Sequence, residues 1–336
     1  METRIGRNNF ALTVYVPYDC MNNCPFCTSK CLYEEKGVYP QGVEYEMNKV
    51  FGEYEFPIHD VVFTGGEPMA DIPGLKKLIE IVPDGYDVYI NTTLTRKDLW
   101  DFIELVNDDP KIKGVNISRH GTSFEIDAQN FRDIAEDQAV KWFEKPVRIN
   151  VVLDQNRRKD YNDMRFVQGV LNRWESYDNV RIAFRADFRE VKTEQDLHTP
   201  YETFPMLLFG IGLSFVRHSG CNVCDDLVFE TSSGMVVSYH RGLESTSLEI
   251  VGTEGNYREI NDLIIYPNGL LDYDWKDTNR QARDEIKLQF AAQKVPREES
   301  RWFTAGEYGI GDRYRYQGVG GCGYILVPSF EVCMGG

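Results

Sequence analysis

Six stretches in the first part of the chain carry apolar side chains at alternate positions or in short unbroken runs. They are Phe10–Val16, Asp60–Thr64, Tyr86–Asn91, Gly114–Ser118, Val147–Leu153 and Val180–Asp187, and they read as strands. Between them the apolar spacing lengthens to that of amphipathic helices, over Val43–Phe51, Ile72–Val82, Lys97–Val106, Phe124–Phe143 and Tyr161–Trp174. Strand and helix in strict alternation predict right-handed crossovers and a parallel sheet with helices outside it. Alternation leaves open whether the sheet closes. After about residue 190 the helical signal thins. Two hairpin-like stretches follow, 227–240 and 263–275, each with a glycine-containing turn between apolar runs. A helix is predicted over Arg280–Lys294, and the tail from Gly306 is rich in Gly and Tyr. The expected division is therefore residues 1–195 and residues 196–336.

Composition narrows the class. The 336 residues, 42% of them hydrophobic, suffice for a substantial core. No run of eighteen apolar residues is present, and the N-terminus lacks the apolar stretch of a signal peptide. A cytoplasmic protein with no membrane partner is expected. In that setting eight cysteines point to metal ligands before disulfides. A formal charge of −16 repels polyphosphate, so extended nucleic-acid binding is not expected, while a nucleotide in a local pocket stays open.

The chemistry concentrates in Cys20-Met-Asn-Asn-Cys24-Pro-Phe-Cys27, just after the first strand. The C-x3-C-x2-C spacing holds three thiols on one short loop, enough for three corners of a [4Fe–4S] cube, with the fourth iron left to chelate a small molecule. Thr64-Gly65-Gly66-Glu67-Pro68 follows the second strand. Its glycines allow close backbone approach, and Glu67 adds a carboxylate. A zinc knuckle, with Cys31 as fourth ligand, is the alternative for the cysteine loop.

In this order the two motifs resemble the signatures of radical S-adenosylmethionine (SAM) enzymes. The resemblance implies an α/β fold with a partial (β/α)6 TIM-like barrel and a C-terminal α+β extension. It implies a [4Fe–4S] cluster on Cys20, Cys24 and Cys27 with SAM as cofactor. It places Phe26 against the adenine, Thr64, Gly65, Gly66, Glu67 and Pro68 near the SAM amino group, and Ser118 and Asn150 among the SAM contacts. One electron passing through the cube cleaves SAM, and the resulting 5′-deoxyadenosyl radical abstracts hydrogen from the substrate. Such chemistry needs an electron donor such as flavodoxin or ferredoxin. Thr92, Asn116, Arg119 and His120 also stand at or along predicted strand ends.

The later cysteines suggest a second metal. Cys221-Asn-Val-Cys224 before a hairpin resembles the C-terminal pair of GTP 3′,8-cyclases, radical SAM enzymes of molybdenum-cofactor biosynthesis, as do Val147–Leu153 and the terminal Met334-Gly335-Gly336. Two departures stand out: the hairpin lacks the third cysteine near Ser238–His240, and Asp225 and Asp226 stand where the cyclases place arginines. Swapping cations for carboxylates opposes a triphosphate, so GTP is not carried over. Cys221, Cys224, Cys322 and Cys333 are expected to hold a second [4Fe–4S] cluster, as in twitch and SPASM extensions, or zinc, with His240 as a stand-in ligand. A densely polar run, Ser238–Ser247, follows.

A small-molecule substrate, nucleoside or nucleotide, is the first expectation. The first strand starts by about residue 10, leaving no room for a leader-binding domain. A radical SAM maturase of a ribosomally made peptide is the alternative. A zinc-stabilised binding protein is a third reading, and a glycyl-radical activase a fourth, against which the absence of a C-x2-C-x2-C-x3-C insert counts.

Overall fold

The computed structural model describes residues 2–5, 10–20, 22, 24, 26–27, 29–54, 56–95, 97–119, 137–154, 163–187, 191, 203–221, 224–243, 247–252 and 255–273. The side chains of Cys31 and Cys221 fall outside that description, as do His120, Cys322, Cys333, the body of the helix predicted from Phe124 and the helix predicted over Arg280–Lys294.

The six predicted strands form and run parallel. They are β2 (Ala11–Val16), β3 (Asp60–Gly65), β4 (Asp87–Thr92), β5 (Ile112–Ser118), β6 (Val147–Leu153) and β7 (Val180–Ala186). β1 (Glu2–Ile5) lies elsewhere, in a three-stranded sheet with β12 (Gly255–Ile260) and β11 (Ser247–Gly252) that the pattern did not predict. The later hairpins take known form as β9 (Cys224–Glu230) with β10 (Val236–Gly242), and β13 (Asp262–Ile265) with β14 (Leu271–Asp272). An additional strand, β8 (Ser214–Cys221), pairs antiparallel with β9.

These strands join one eleven-stranded sheet in the order β14-β13-β2-β3-β4-β5-β6-β7-β10-β9-β8. The sheet is open, not closed. β13 lies parallel to β2 on one flank and β10 parallel to β7 on the other. Strands from beyond residue 195 thus extend both edges of the sheet built by the first part of the chain.

The helices are α1 (Ser29–Lys36), α2 (Pro40–Gly52), α3 (Ile72–Ile81), α4 (Leu99–Asp108), α5 (Met164–Trp174) and α6 (Thr203–Gly210). α1 was not expected from the sequence. Side-chain caps start two of the others. The Asp71 carboxylate accepts the Gly74 N–H at 3.0 Å at the head of α3, and Asp163 accepts from Arg165 at 2.9 Å at the head of α5. Pro83 closes the segment after α3.

Alternation separates the two faces of the sheet. Leu12, Val14, Val61, Phe63, Val88, Ile90, Val115 and Ile117 are buried in the main core, with Val43 and Met47 of α2, Leu75 and Leu78 of α3 and Phe102 of α4. The intervening residues form the other face. A parallel sheet covered on both sides is apolar on both. Here the second face carries Thr64, Asn91, Asn116, Arg148, Asn150 and Arg185. That departure marks where the chemistry belongs.

Candidate active site

The cysteine loop leaves the carboxyl end of β2, the side on which parallel sheets gather their sites. Several bonds fix it there. The Tyr33 hydroxyl, from α1, donates to the Val16 carbonyl and accepts the Gly66 N–H at 2.6 Å. The Glu67 N–H donates to the Asp19 carbonyl at 3.3 Å, and Asn22 Nδ2 donates to Thr93 Oγ1 at 3.1 Å. Cys20 N–H donates to Asp19 Oδ1 at 2.8 Å, and the Cys27 N–H closes a turn onto the Cys24 carbonyl at 3.1 Å.

Cys20, Cys24 and Cys27 are half-buried and in no disulfide. Burial pushes the Cys20 thiol up, and the charges of Glu67, Cys27 and Asp19 push the same way against a hydrogen bond from the Asn22 backbone. A thiol in such surroundings becomes a thiolate when a metal ion supplies the opposing charge. The three thiols do not converge as a ligand group: among the described residues no three His, Cys, Asp or Glu side chains do. The donor set of three soft thiols on one loop nevertheless suits an iron–sulfur cluster. Phe26 is half-buried within the same loop.

The Gly65-Gly66-Glu67 segment is tightly packed. A Cβ on Gly66 would meet the Tyr18 carbonyl oxygen at 1.8 Å, and Gly65 has a φ of +106°. Glu67 is buried and saturated. Its Oε1 accepts from Met69 N–H at 3.0 Å and Thr92 Oγ1 at 2.5 Å, and its Oε2 accepts from Thr93 N–H at 2.8 Å and Thr93 Oγ1 at 2.5 Å. Its carboxylate clamps the β3 loop to the end of β4. Pro68 begins a short 3-10 turn, Pro68–Ala70.

On the polar face, Asn91 Nδ2 donates to Thr64 Oγ1 at 3.1 Å, and Asn116 Nδ2 donates to Asn91 Oδ1 at 2.6 Å. This ladder ties three adjacent strands. Asn116 Oδ1 and Asn150 Oδ1 are buried and accept no hydrogen bond among the described residues. Such a group is costly unless something completes it. Ser118 pairs with Asn150 across β5 and β6. Ser118 and Asn150 therefore stand together on the polar face with the buried Asn116.

Arg119 is engaged inside the fold. It donates to the Thr93 and Ser118 carbonyls, and its Nε lies 2.7 Å from Asp137 Oδ1. Asp137, buried, also pairs with Arg173 of α5. Arg119 thus has an anionic neighbour in Asp137.

The backbones of Cys221 and Cys224 are register partners at the tip of the β8–β9 hairpin. The acidic pair beside them divides. Asp225 bonds to His218 and to Arg241, the latter at 2.8 Å. Asp226 Oδ1 lies 3.0 Å from His240 Nδ1. Burial works to raise the Asp226 carboxyl, but His240, Arg148 and Arg185 outweigh it and the net shift is downward. Asp225 and Asp226 therefore have different basic partners, and Arg148 and Arg185, which belong to no motif, act on Asp226. Their signal lay in the strands: single charges at alternate positions of otherwise apolar runs.

No protein-family profile and no curated protein matches the chain. Solved structures do. Streptococcus suis SuiB bound to S-adenosylmethionine matches at 17% identity over 60% of this chain and 46% of its own, with a TM-score of 0.41. SuiB bound to precursor peptide SuiA matches at 15% identity over 60% of this chain and 47% of its own, TM-score 0.43. The protein anSMEcpe with bound AdoMet matches at 18% identity over 60% of this chain and 59% of its own, TM-score 0.44. The chain thus spans about half the length of the SuiB structures it matches. No helix among the described residues is long and apolar enough to cross a membrane.

Proposed function

We propose that the protein is a radical SAM enzyme. The observation that carries the reading is a loop with three cysteines at C-x3-C-x2-C spacing, fixed at the carboxyl end of a parallel strand above a polar sheet face. Cys20, Cys24 and Cys27 would hold a [4Fe–4S] cluster, and Ser118 and Asn150 would contact SAM. When bound, the pair supplies reductive cleavage of SAM and a carbon-centred radical that takes hydrogen from the substrate. The chain's own residues do the rest. Glu67, Thr93 and Tyr33 hold the loop rigid, and the Thr64–Asn91–Asn116 ladder fixes the polar wall.

Strands β2 to β7 are read as the partial barrel of such an enzyme, with residues 196–336 as an extension whose Cys221 and Cys224 could serve a second cluster or zinc. For the substrate, the small molecule expected from sequence has a rival in a peptide. Matched structures hold SuiA in one case and Cp18Cys peptide in another. In this chain β8 ends the sheet with Phe215 and Val216 exposed, an edge along which an extended peptide could pair.

Anaerobic iron and sulfide analysis tests the class. Wild type and Cys20→Ala/Cys24→Ala/Cys27→Ala are reconstituted, and 5′-deoxyadenosine is followed after dithionite and SAM are added. About four irons lost in the variant mean one cluster; about eight, with four retained, mean two. No iron and no 5′-deoxyadenosine from wild type would overturn the assignment.

A further inference from the structure

The ladder between β4 and β5 ends at Thr92 and Ile117. The next carbonyls, of Thr93 and Ser118, lie past its last rung, and a carbonyl in that position has to find a donor elsewhere. Arg119 supplies it. Its Nη1, which carries two hydrogens, donates to the Thr93 carbonyl and to the Ser118 carbonyl, the latter at 2.9 Å. Its backbone N–H donates to the Asn150 carbonyl at 2.9 Å. One residue thus ties the ends of β4, β5 and β6.

The guanidinium is itself fixed. It is buried, its Nε lies 2.7 Å from Asp137 Oδ1, and Asp137 is held by Arg173 of α5 as well. Arginine suits this task because its planar fork presents several donors in one rigid group, where lysine offers a point charge on a flexible stem. The strand ends tied in this way carry Ser118 and Asn150, register partners on the polar face. Thr93 is anchored independently. Glu67 accepts from its N–H and its hydroxyl, and Asn22 of the cysteine loop donates to that hydroxyl. Loss of Arg119 therefore loosens the Ser118 and Asn150 side while the cysteine loop keeps its own bonds.

We infer that Arg119 is a positioning residue for SAM binding: it closes the end of the β4–β5 ladder and so fixes Ser118 and Asn150 relative to the cysteine loop. This rests on the reading of Ser118 and Asn150 as SAM contacts of the proposed enzyme.

The test compares Arg119→Gln and Arg119→Lys with Lys111→Met, each in the full chain. Lys111, just before the start of β5, donates to the Ile79 and Val82 carbonyls at 3.0 and 2.8 Å, so its loss is purely structural. SAM binding is measured by equilibrium dialysis on reconstituted, unreduced protein, with iron content and melting temperature beside it. Amide hydrogen exchange is followed on the unreconstituted chain. Arg119→Gln should keep the wild-type iron content, raise the SAM Kd about tenfold or more, and speed exchange at the position 119 amide by about as much. Arg119→Lys should recover part of both, and it stands in for the Gln variant should that fail to fold. Lys111→Met should lower the melting temperature and change neither. A wild-type SAM Kd in Arg119→Gln, or an equal rise in Lys111→Met, overturns the inference while the radical reading stands. Wild type that takes up neither iron nor SAM overturns the SAM role together with the radical reading, and faster exchange in Arg119→Gln then leaves only the tie between strand ends.

Discussion

The Glu67 carboxylate holds Thr93 twice, through the backbone N–H at 2.8 Å and the hydroxyl at 2.5 Å. Thr93 in turn accepts from Asn22 in the cysteine loop. A buried carboxylate therefore joins the glycine loop, the end of β4 and the metal-ligand candidates. Glu67→Gln turns an amide toward donors and leaves one buried N–H or hydroxyl without an acceptor. We expect a loss of about 2–3 kcal/mol in urea denaturation, with a smaller loss for Thr93→Val. An unchanged midpoint for Glu67→Gln would show that the clamp contributes nothing.

Asp137 lies between Arg119 and Arg173. Asp137→Asn leaves a buried guanidinium without its countercharge, and the expected cost is about 3–5 kcal/mol. Arg173, on the more exposed side, should cost less when replaced by Gln. The two midpoints measured side by side decide this, and equal losses would refute the asymmetry.

Two glycine substitutions should have opposite signs. Gly66→Ala drives a Cβ into the Tyr18 carbonyl, so backbone must shift, at a cost of about 1–3 kcal/mol and with poorer iron incorporation. Gly52→Ala, at the end of α2 with nothing within 4 Å of the new methyl, should stabilise by about 0.5–1 kcal/mol. Melting temperatures report both.

The six parallel strands were legible because Leu12, Val14, Val61 and Phe63 and their counterparts repeat at period two with helical segments between. α1 was not, because its apolar content is local: Tyr33 docks by its hydroxyl, and Leu32 packs on a small cluster at Tyr15 and Tyr266. Nor was the placement of β13 beside β2, since a parallel pairing across the chain leaves no local mark. Within the site, the cysteine spacing singled out the loop that follows β2. Nothing singled out Arg148 and Arg185, because only the register brings them to one face. Glu67 carried a motif, yet sequence could not tell that four donors already occupy it.

Arg148 should burden the fold it serves. Its pKa, lowered by burial and like charge to about 10, means that below this value the folded state bears a charge it disfavours. Arg148→Met should therefore be more stable than wild type at neutral pH. Between about 10 and the ordinary arginine range the unfolded chain binds more protons than the folded one. Wild-type stability relative to the variant should thus rise with pH across that interval. Urea midpoints for the pair at neutral pH and above 10 test both signs. A variant less stable than wild type at neutral pH would mean that Arg148 is a stabilising element after all.

The pairing of β2 with β13 also bears on synthesis. β2 ends at Val16 and β13 begins at Asp262, so about 246 residues must leave the ribosome before the outer edge of β2 finds its neighbour. At roughly 5–20 residues per second that is on the order of 12–50 s. Throughout that time the nascent chain presents an unpaired, strongly apolar strand edge, an invitation to sticking between chains. A holdase or low growth temperature should raise soluble yield, and a circular permutant that makes β13 ahead of β2 should depend on neither.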